Sequence, residues 1–339
     1  MRLSEPFGLT LPNRGVLLGA VTARDLLELA EEAEASGAFG AVWVGDSLLA
    51  KPRLESVTLL SALAARTRRL KLGVGCLATF VHRHPVLFAQ QWASLDVISE
   101  GRALLAVCLG GPDAQGPAQA LEHRVMGVLS KERPARLEEG IAILRVLFGQ
   151  INASYRGRFY EFEGVTLEPR PVQNPVPIWI ASNPTGVTYR MGAGVDEKTL
   201  ARALDRVARL ADGWMTNKIT PEQFTELWSR IREAARDYGR DPDRLGNCLY
   251  YNVNLNDDRE AAFQESKRFL DAYYTGDYSR TFVDSWTAYG PAGEVIAQLR
   301  AYFDAGLQHI TIRFASWDQR RQLRRFLAEV APAFARVGA

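Results

Sequence analysis

Asp46 and Ser47 place a carboxylate and a hydroxyl directly after Ala41–Val44, an apolar run too short to be a helix. Lys51-Pro52-Arg53 follows in the same polar stretch. His82 and His84 come just after a second such run, Leu70–Leu77. Their spacing admits a metal pair, but no carboxylate stands near them in sequence, so capping and ordering the helix that starts at Pro85 is the better reading. His309 opens a later apolar run and reads as structural. Arg14, His82 and Arg83 have the charge to orient an anionic substrate. Ser182-Asn183-Pro184-Thr185-Gly186 reads, unaided, as a turn. Gly73-Val74-Gly75 is a fragment of a dinucleotide fingerprint without its third glycine, which argues against a Rossmann fold. No phosphate-loop, His-Glu-x-x-His or Gly-x-Ser-x-Gly motif occurs.

The elements that must position these residues alternate. Apolar runs at 7–11, 41–44, 70–77, 103–109, 178–181, 213–216, 247–255 and 309–314 each precede an amphipathic segment of helical length. Thr22 is an N-cap for a helix stopped at Ser36-Gly37, Pro85 fits a first helical turn, and Thr220-Pro221-Glu222-Gln223 is a cap with a first turn. Eight strands and eight helices in strict alternation predict a single (β/α)8 barrel spanning 1–339, with its chemistry at the carboxyl ends of the strands. Three stretches interrupt the pattern. Residues 150–176, with Tyr155, Phe159, Tyr160 and Phe162 around Gly157, read as a hairpin and an extended strap. A glycine-rich connection follows the fifth strand. An aromatic insertion, 274–289, precedes the last βα unit.

Composition excludes several classes. The 339 residues are 47% hydrophobic and 24% charged, with a net charge of +2, which gives no reason to expect nucleic acid or an anionic membrane as partner. No apolar stretch approaches a membrane span, and the first residues carry no signal-type apolar region. Three cysteines, Cys76, Cys108 and Cys248, are too few and too scattered for a disulfide framework, and read as buried free thiols in a cytoplasmic protein.

Several motifs resemble the bacterial-luciferase-like flavin-dependent monooxygenases, in the same order along nearly the whole chain. They are Ala-Glu-Glu-Ala-Glu-Ala-Ser-Gly (30–37), Val-Trp-Val-Gly-Asp (42–46), Arg-His-Pro (83–85) and Leu-Asp-x-Ile-Ser-x-Gly-Arg (95–102). Tyr-Arg-Gly-Arg-Phe-Tyr (155–160), Pro-x-Pro-Val-Gln-Asn-Pro-Val-Pro-Ile-Trp-Ile (169–180) and Ala-Asp-Gly-Trp (211–214) continue the series. The resemblance implies a (β/α)8 barrel binding FMN or the deazaflavin F420. It places a non-proline cis peptide under the flavin ring at Gly75-Cys76. It assigns the cofactor phosphate to Ser182, Asn183 and Thr185 after the fifth strand, and to backbone near Gly213, Trp214 and Met215 in the sixth. Many relatives carry a histidine after the aspartate matching Asp46, where this chain has Ser47, so general acid–base work by an imidazole is excluded there. Asp46 and Ser47 keep the capacity to hydrogen-bond flavin or substrate. The expected reaction is oxidation of a small organic substrate by reduced FMN and oxygen, with a separate reductase supplying the flavin. F420-dependent hydride transfer is the alternative, and a non-catalytic flavin-binding barrel a third reading. Trp43, Phe80, Trp179 and Trp286 are candidates for shielding the pocket. A homodimer is the expected assembly.

Overall fold

The apolar runs fold as strands because each is buried on both sides, between a packed interior and a layer of helices. The computed structural model describes residues 3–183 and 197–335. Strands β1 (Phe7–Leu11), β2 (Phe39–Val44), β3 (Lys71–Leu77) and β4 (Ala103–Val107) are followed by a hairpin of β5 (Ala153–Arg156) and β6 (Glu161–Val165). Then come β7 (Ile178–Ala181), β8 (Gly213–Thr216), β9 (Gly246–Leu255), β10 (Thr287–Gly290) and β11 (Ile310–Phe314). Parallel pairing runs β1-β2-β3-β4-β7-β8-β9-β11 and returns from β11 to β1, closing an eight-stranded barrel. The hairpin is antiparallel and stands outside it, as the alternating aromatics predict.

The helices are α1 (Ala23–Ser36), α2 (Ser56–Arg66), α3 (Pro85–Ile98), α4 (Pro117–Val125), α5 (Arg133–Gly149) and α6 (Glu197–Leu210). They continue with α7 (Pro221–Asp237), α8 (Arg259–Tyr274), α9 (Arg280–Asp284), α10 (Ala292–Asp304) and α11 (Gln319–Arg325). The expected caps form: Thr22 and Thr220 make capping boxes, and Gly37 ends α1 at φ 70. Three elements escaped the sequence. Helix α4 lies in a stretch that Gly110, Gly111, Gly116 and Pro117 mark as loop. Strand β10 and α9 lie in the aromatic insertion; β9 is long enough to pair with β8 over its first half and β10 over its last four residues.

Inward-facing side chains fill the barrel. Trp43 and Trp179 meet at 6.3 Å between ring centroids, with Ala41, Leu104, Ala106, Met215 and Cys248 around them. Glycines make room for the indoles: a Cβ on Gly73 would lie 2.1 Å from the Trp43 ring, and one on Gly213 2.4 Å from Trp179. Trp43 and Trp179 are therefore core rather than pocket shield, and so is Phe80, packed against Phe88 outside the barrel.

The motifs of the sequence series turn out to be joints. Asp96 accepts the backbone N–H and side-chain amide of Gln173, fixing the proline-rich strap to α3. Arg102 spends its guanidinium on Ser99, Thr67, Leu70 and Ala64. Glu139 accepts the N–H groups of Arg158, Phe159 and Tyr160, which sets the hairpin turn.

Candidate functional site

A cavity of about 520 Å³ opens at the carboxyl ends of the barrel strands, where the alternation predicted the chemistry. Its floor is the end of β3. There the Gly75–Cys76 peptide is cis, and the pairing with β4 shifts between Gly75 and Leu77, as the resemblance implied. A Cβ on Gly75 would lie 3.1 Å from the Met215 methyl, so any larger residue here would press on Met215. Ala78, Leu109, Leu137, Ile180 and Ala181 continue this apolar side.

Asp46 lines the cavity as its only carboxylate among the described residues. It accepts the Thr79 N–H at 2.7 Å and the Ser56 hydroxyl at 3.0 Å, and lies 3.5 Å from Arg83. Two hydrogen bonds and the neighbouring guanidinium make it a tie between the ends of β2 and β3. Ser47 lines the same wall and accepts the N–H of Lys51. Ser182 follows β7; its hydroxyl oxygen accepts the Trp214 indole N–H at 3.1 Å, which leaves the hydroxyl proton to donate to a ligand. Asn183 sits beside it, bonded to Asn217.

Among the described residues, six basic side chains line the cavity: Lys51, Arg53, Arg133, Arg206, Lys218 and Arg313. Arg206 is paired with Glu138, outside the lining. Lys218 follows β8 in a left-handed conformation, φ 53, and its ammonium lies 4.6 Å over the Trp286 ring. Burial, then the Lys51 charge, pushes its pKa down to about 7. Burial with Arg53 and Arg14 nearby pushes Lys51 down to about 8. Arg313 sits inside β11, 1% exposed, bonded to the Tyr274 hydroxyl at 2.6 Å and stacked 4.2 Å over Tyr273. Tyr250, Tyr274 and Trp286 complete an aromatic cage around these cations.

The two lysines are cationic below about pH 7 and neutral above about 8, so anion binding weakens as pH rises through that window. We expect sulfate, which does not titrate there, to bind on the order of tenfold less tightly at about pH 9 than at about pH 6. Calorimetric titration at the two pH values checks this; equal affinity would mean the lysines do not face the anion.

Several sequence candidates fall elsewhere. His82 is buried beside Glu122, 3.7 Å from its carboxylate, and does not line the cavity; burial pushes it down to about 4, so the ring is neutral. Neither it nor His84 caps α3 with its side chain; His84 packs edge-on to Tyr160. Glu122 comes from α4, the helix the sequence hid, and holds the Leu49 and Ala50 N–H groups of the loop carrying Lys51 and Arg53. Arg14 donates to the Pro52 carbonyl and Arg83 pairs with Glu55, so both brace loops rather than face the cavity. Gly213 lies against Trp179 low in the barrel. Alternation along β8 sends Met215 inward and Trp214 outward, where Trp214 stacks on Phe224 and Trp228. Thr185 and most of the 189–198 connection lie outside the described residues. His309 is buried at the amino end of β11, bonded to the Glu5 carbonyl, which fits a structural role. Lys51, Arg53, Lys218 and Arg313 were not singled out from sequence; a lone arginine among the apolar residues of Ile310–Phe314 was the available signal.

A family model described as luciferase-like monooxygenase matches residues 6–309. The chain is 28% identical to an F420-dependent glucose-6-phosphate dehydrogenase of Amycolatopsis mediterranei, over 93% of this chain and 96% of that one. Its fold superposes on an F420-dependent secondary alcohol dehydrogenase holding an F420–acetone adduct, with TM-score 0.77 and 17% identity over 98% and 99% of the two chains. It superposes equally on the monooxygenase RslO1 from Streptomyces bottropensis, with TM-score 0.75 and 24% identity over 97% and 99%. No helix among the described residues is long and apolar enough to cross a membrane.

Proposed function

Because this chain belongs to the luciferase-like monooxygenase family, an oxidoreductase family, we propose that it transfers hydride between F420 and a small anionic alcohol or its carbonyl counterpart. This replaces reduced FMN with oxygen as the first reading of the sequence, since curated relatives are named as F420-dependent dehydrogenases. The observation that carries it is the charge of the cavity: among the described residues, six basic side chains line it against one carboxylate. A deazaflavin with a phosphodiester and a polyglutamate tail is a polyanion, and an anionic substrate adds further charge.

The residues present fit such a group. Gly75, Cys76 and Met215 offer a flat, apolar shelf for a tricyclic ring. Ser182, with its free hydroxyl proton, and Asn183 are the phosphate ligands, and Arg133 neutralises charge on the same side. When bound, F420 supplies a two-electron hydride carrier that does not require oxygen. The chain binds and orients. Lys51, Arg53, Lys218 and Arg313 hold the substrate's anion. The aromatic cage excludes water, which strengthens those ion pairs. No separate reductase enters this scheme.

Fluorescence titration of F420, FMN and reduced FMN tests the cofactor. F420 is expected to bind most tightly. Ser182→Ala is expected to weaken it about tenfold, the loss of one hydrogen bond to a charged group. Preference for either FMN form overturns the cofactor reading, and unchanged F420 affinity in the variant removes Ser182 from the phosphate site.

A further inference from the structure

Cys76 and Cys108 lie 32 positions apart in sequence and come from hydrogen-bonded neighbours, β3 and the residue just past β4. Their sulfurs are in direct contact, 2.6 Å apart, and both are free thiols. Contrary to the sequence expectation of buried thiols, both are partly exposed and both line the cavity. Only Cys248 is fully buried.

The surroundings differ between the two sulfurs. Arg133 donates to the carbonyls of Leu109 and Gly110, immediately after Cys108, and its guanidinium acts electrostatically on that sulfur. Cys76 faces Asp46 instead; contact with the Cys108 sulfur, then burial, pushes its thiol up, so it stays protonated.

We propose that Cys76 and Cys108 form a reversible dithiol–disulfide couple in the cavity wall, with Cys108 the sulfur oxidised first by a hydroperoxide and Cys76 the resolving thiol. The Cys108 sulfur attacks the terminal peroxide oxygen and gives up its proton; the O–O bond breaks and the leaving oxygen takes a proton, giving Cys108 sulfenic acid. The Cys76 sulfur then attacks Cys108 Sγ, the S–O bond breaks, and water departs with the Cys76 proton. Two thiols lose two electrons and the peroxide gains them. An external dithiol reverses the bond by exchange. The couple links the ends of β3 and β4 and removes both S–H groups from the cavity floor, whichever cofactor the cavity takes.

The test treats the native full-length protein with hydrogen peroxide, quenches it, denatures it and titrates thiols. Three free thiols are expected to fall to one, with a single Cys76–Cys108 cross-linked peptide in the digest, and dithiothreitol is expected to restore three. In Cys76→Ser, Cys108 is expected to stop as a sulfenic acid trapped by dimedone. In Cys108→Ser, the remaining thiols are expected to survive the same dose, and in Cys248→Ser the link forms unchanged. Three unreacted thiols in the wild type, oxidation without that link, or a link through Cys248 or between molecules would each overturn the proposal.

Discussion

Replacing Arg102 with methionine is expected to destabilise the protein by about 3–5 kcal/mol. Its guanidinium makes five hydrogen bonds: to the carbonyls of Ser99, Leu70, Ala64 and Thr67, and to the Thr67 hydroxyl. These partners are the end of α2, the segment entering β3 and the turn after α3. One planar side chain thus closes two consecutive helix ends onto the barrel. Methionine keeps the stem and leaves four buried carbonyls without that donor. Lysine restores the charge but offers three donors around one point, where five spread over a planar fork are in use, so Arg102→Lys should recover only part of the loss. Urea unfolding midpoints measure both variants. A loss under about 1 kcal/mol for methionine would show that water or neighbours satisfy those carbonyls.

Lys218→Met is expected to lower kcat/KM for an anionic substrate about 100-fold, corresponding to about 2.7 kcal/mol of lost charge pairing. The ammonium is buried 4.6 Å over Trp286 and 5.5 Å over Phe282. Its depressed pKa means that the folded protein disfavours the charge when nothing anionic is bound. Methionine has nearly the same length and suits an aromatic cage, so the variant should be at least as stable as the parent. F420 affinity should change less than about threefold, because the phosphate ligands proposed for the cofactor are on the Ser182 side. Steady-state kinetics with thermal unfolding separates the two properties. A variant that keeps kcat/KM, or loses activity only by unfolding, would remove Lys218 from the substrate site.

These two residues show which part of the molecule could be read in advance. Arg102, Asp96, Gln173 and Glu139 lie in or beside the motifs that carried the family resemblance, and all of them hold barrel parts together. Those motifs therefore made the barrel legible, along with the Gly75–Cys76 bulge, and said little about the reaction. The charged residues that line the cavity have no shared spacing. Lys51 and Arg53 sit in the loop after β2, Lys218 past β8, Arg313 inside β11, and only closure of the barrel brings them to one wall. Alternation placed Asp46, Ser47 and Ser182 at strand ends, and the structure sets all three on the cavity. Arg14, Arg83 and His82 have the right types, but backbone carbonyls, Glu55 and the buried neighbourhood of Glu122 hold them away from it. Gly213 and Trp214 do not line the cavity: one lies low in the barrel, and the other turns its side chain outward.

Anaerobic turnover tests the functional account most directly. The protein is mixed with oxidised F420 and a panel of sugar phosphates and related anionic alcohols, and the deazaflavin absorbance is followed with oxygen excluded. The account predicts that at least one such substrate bleaches F420 in a single two-electron step, and that FMN does not replace it. Substrate oxidation that requires oxygen and reduced FMN, with F420 unchanged across the panel, would contradict it.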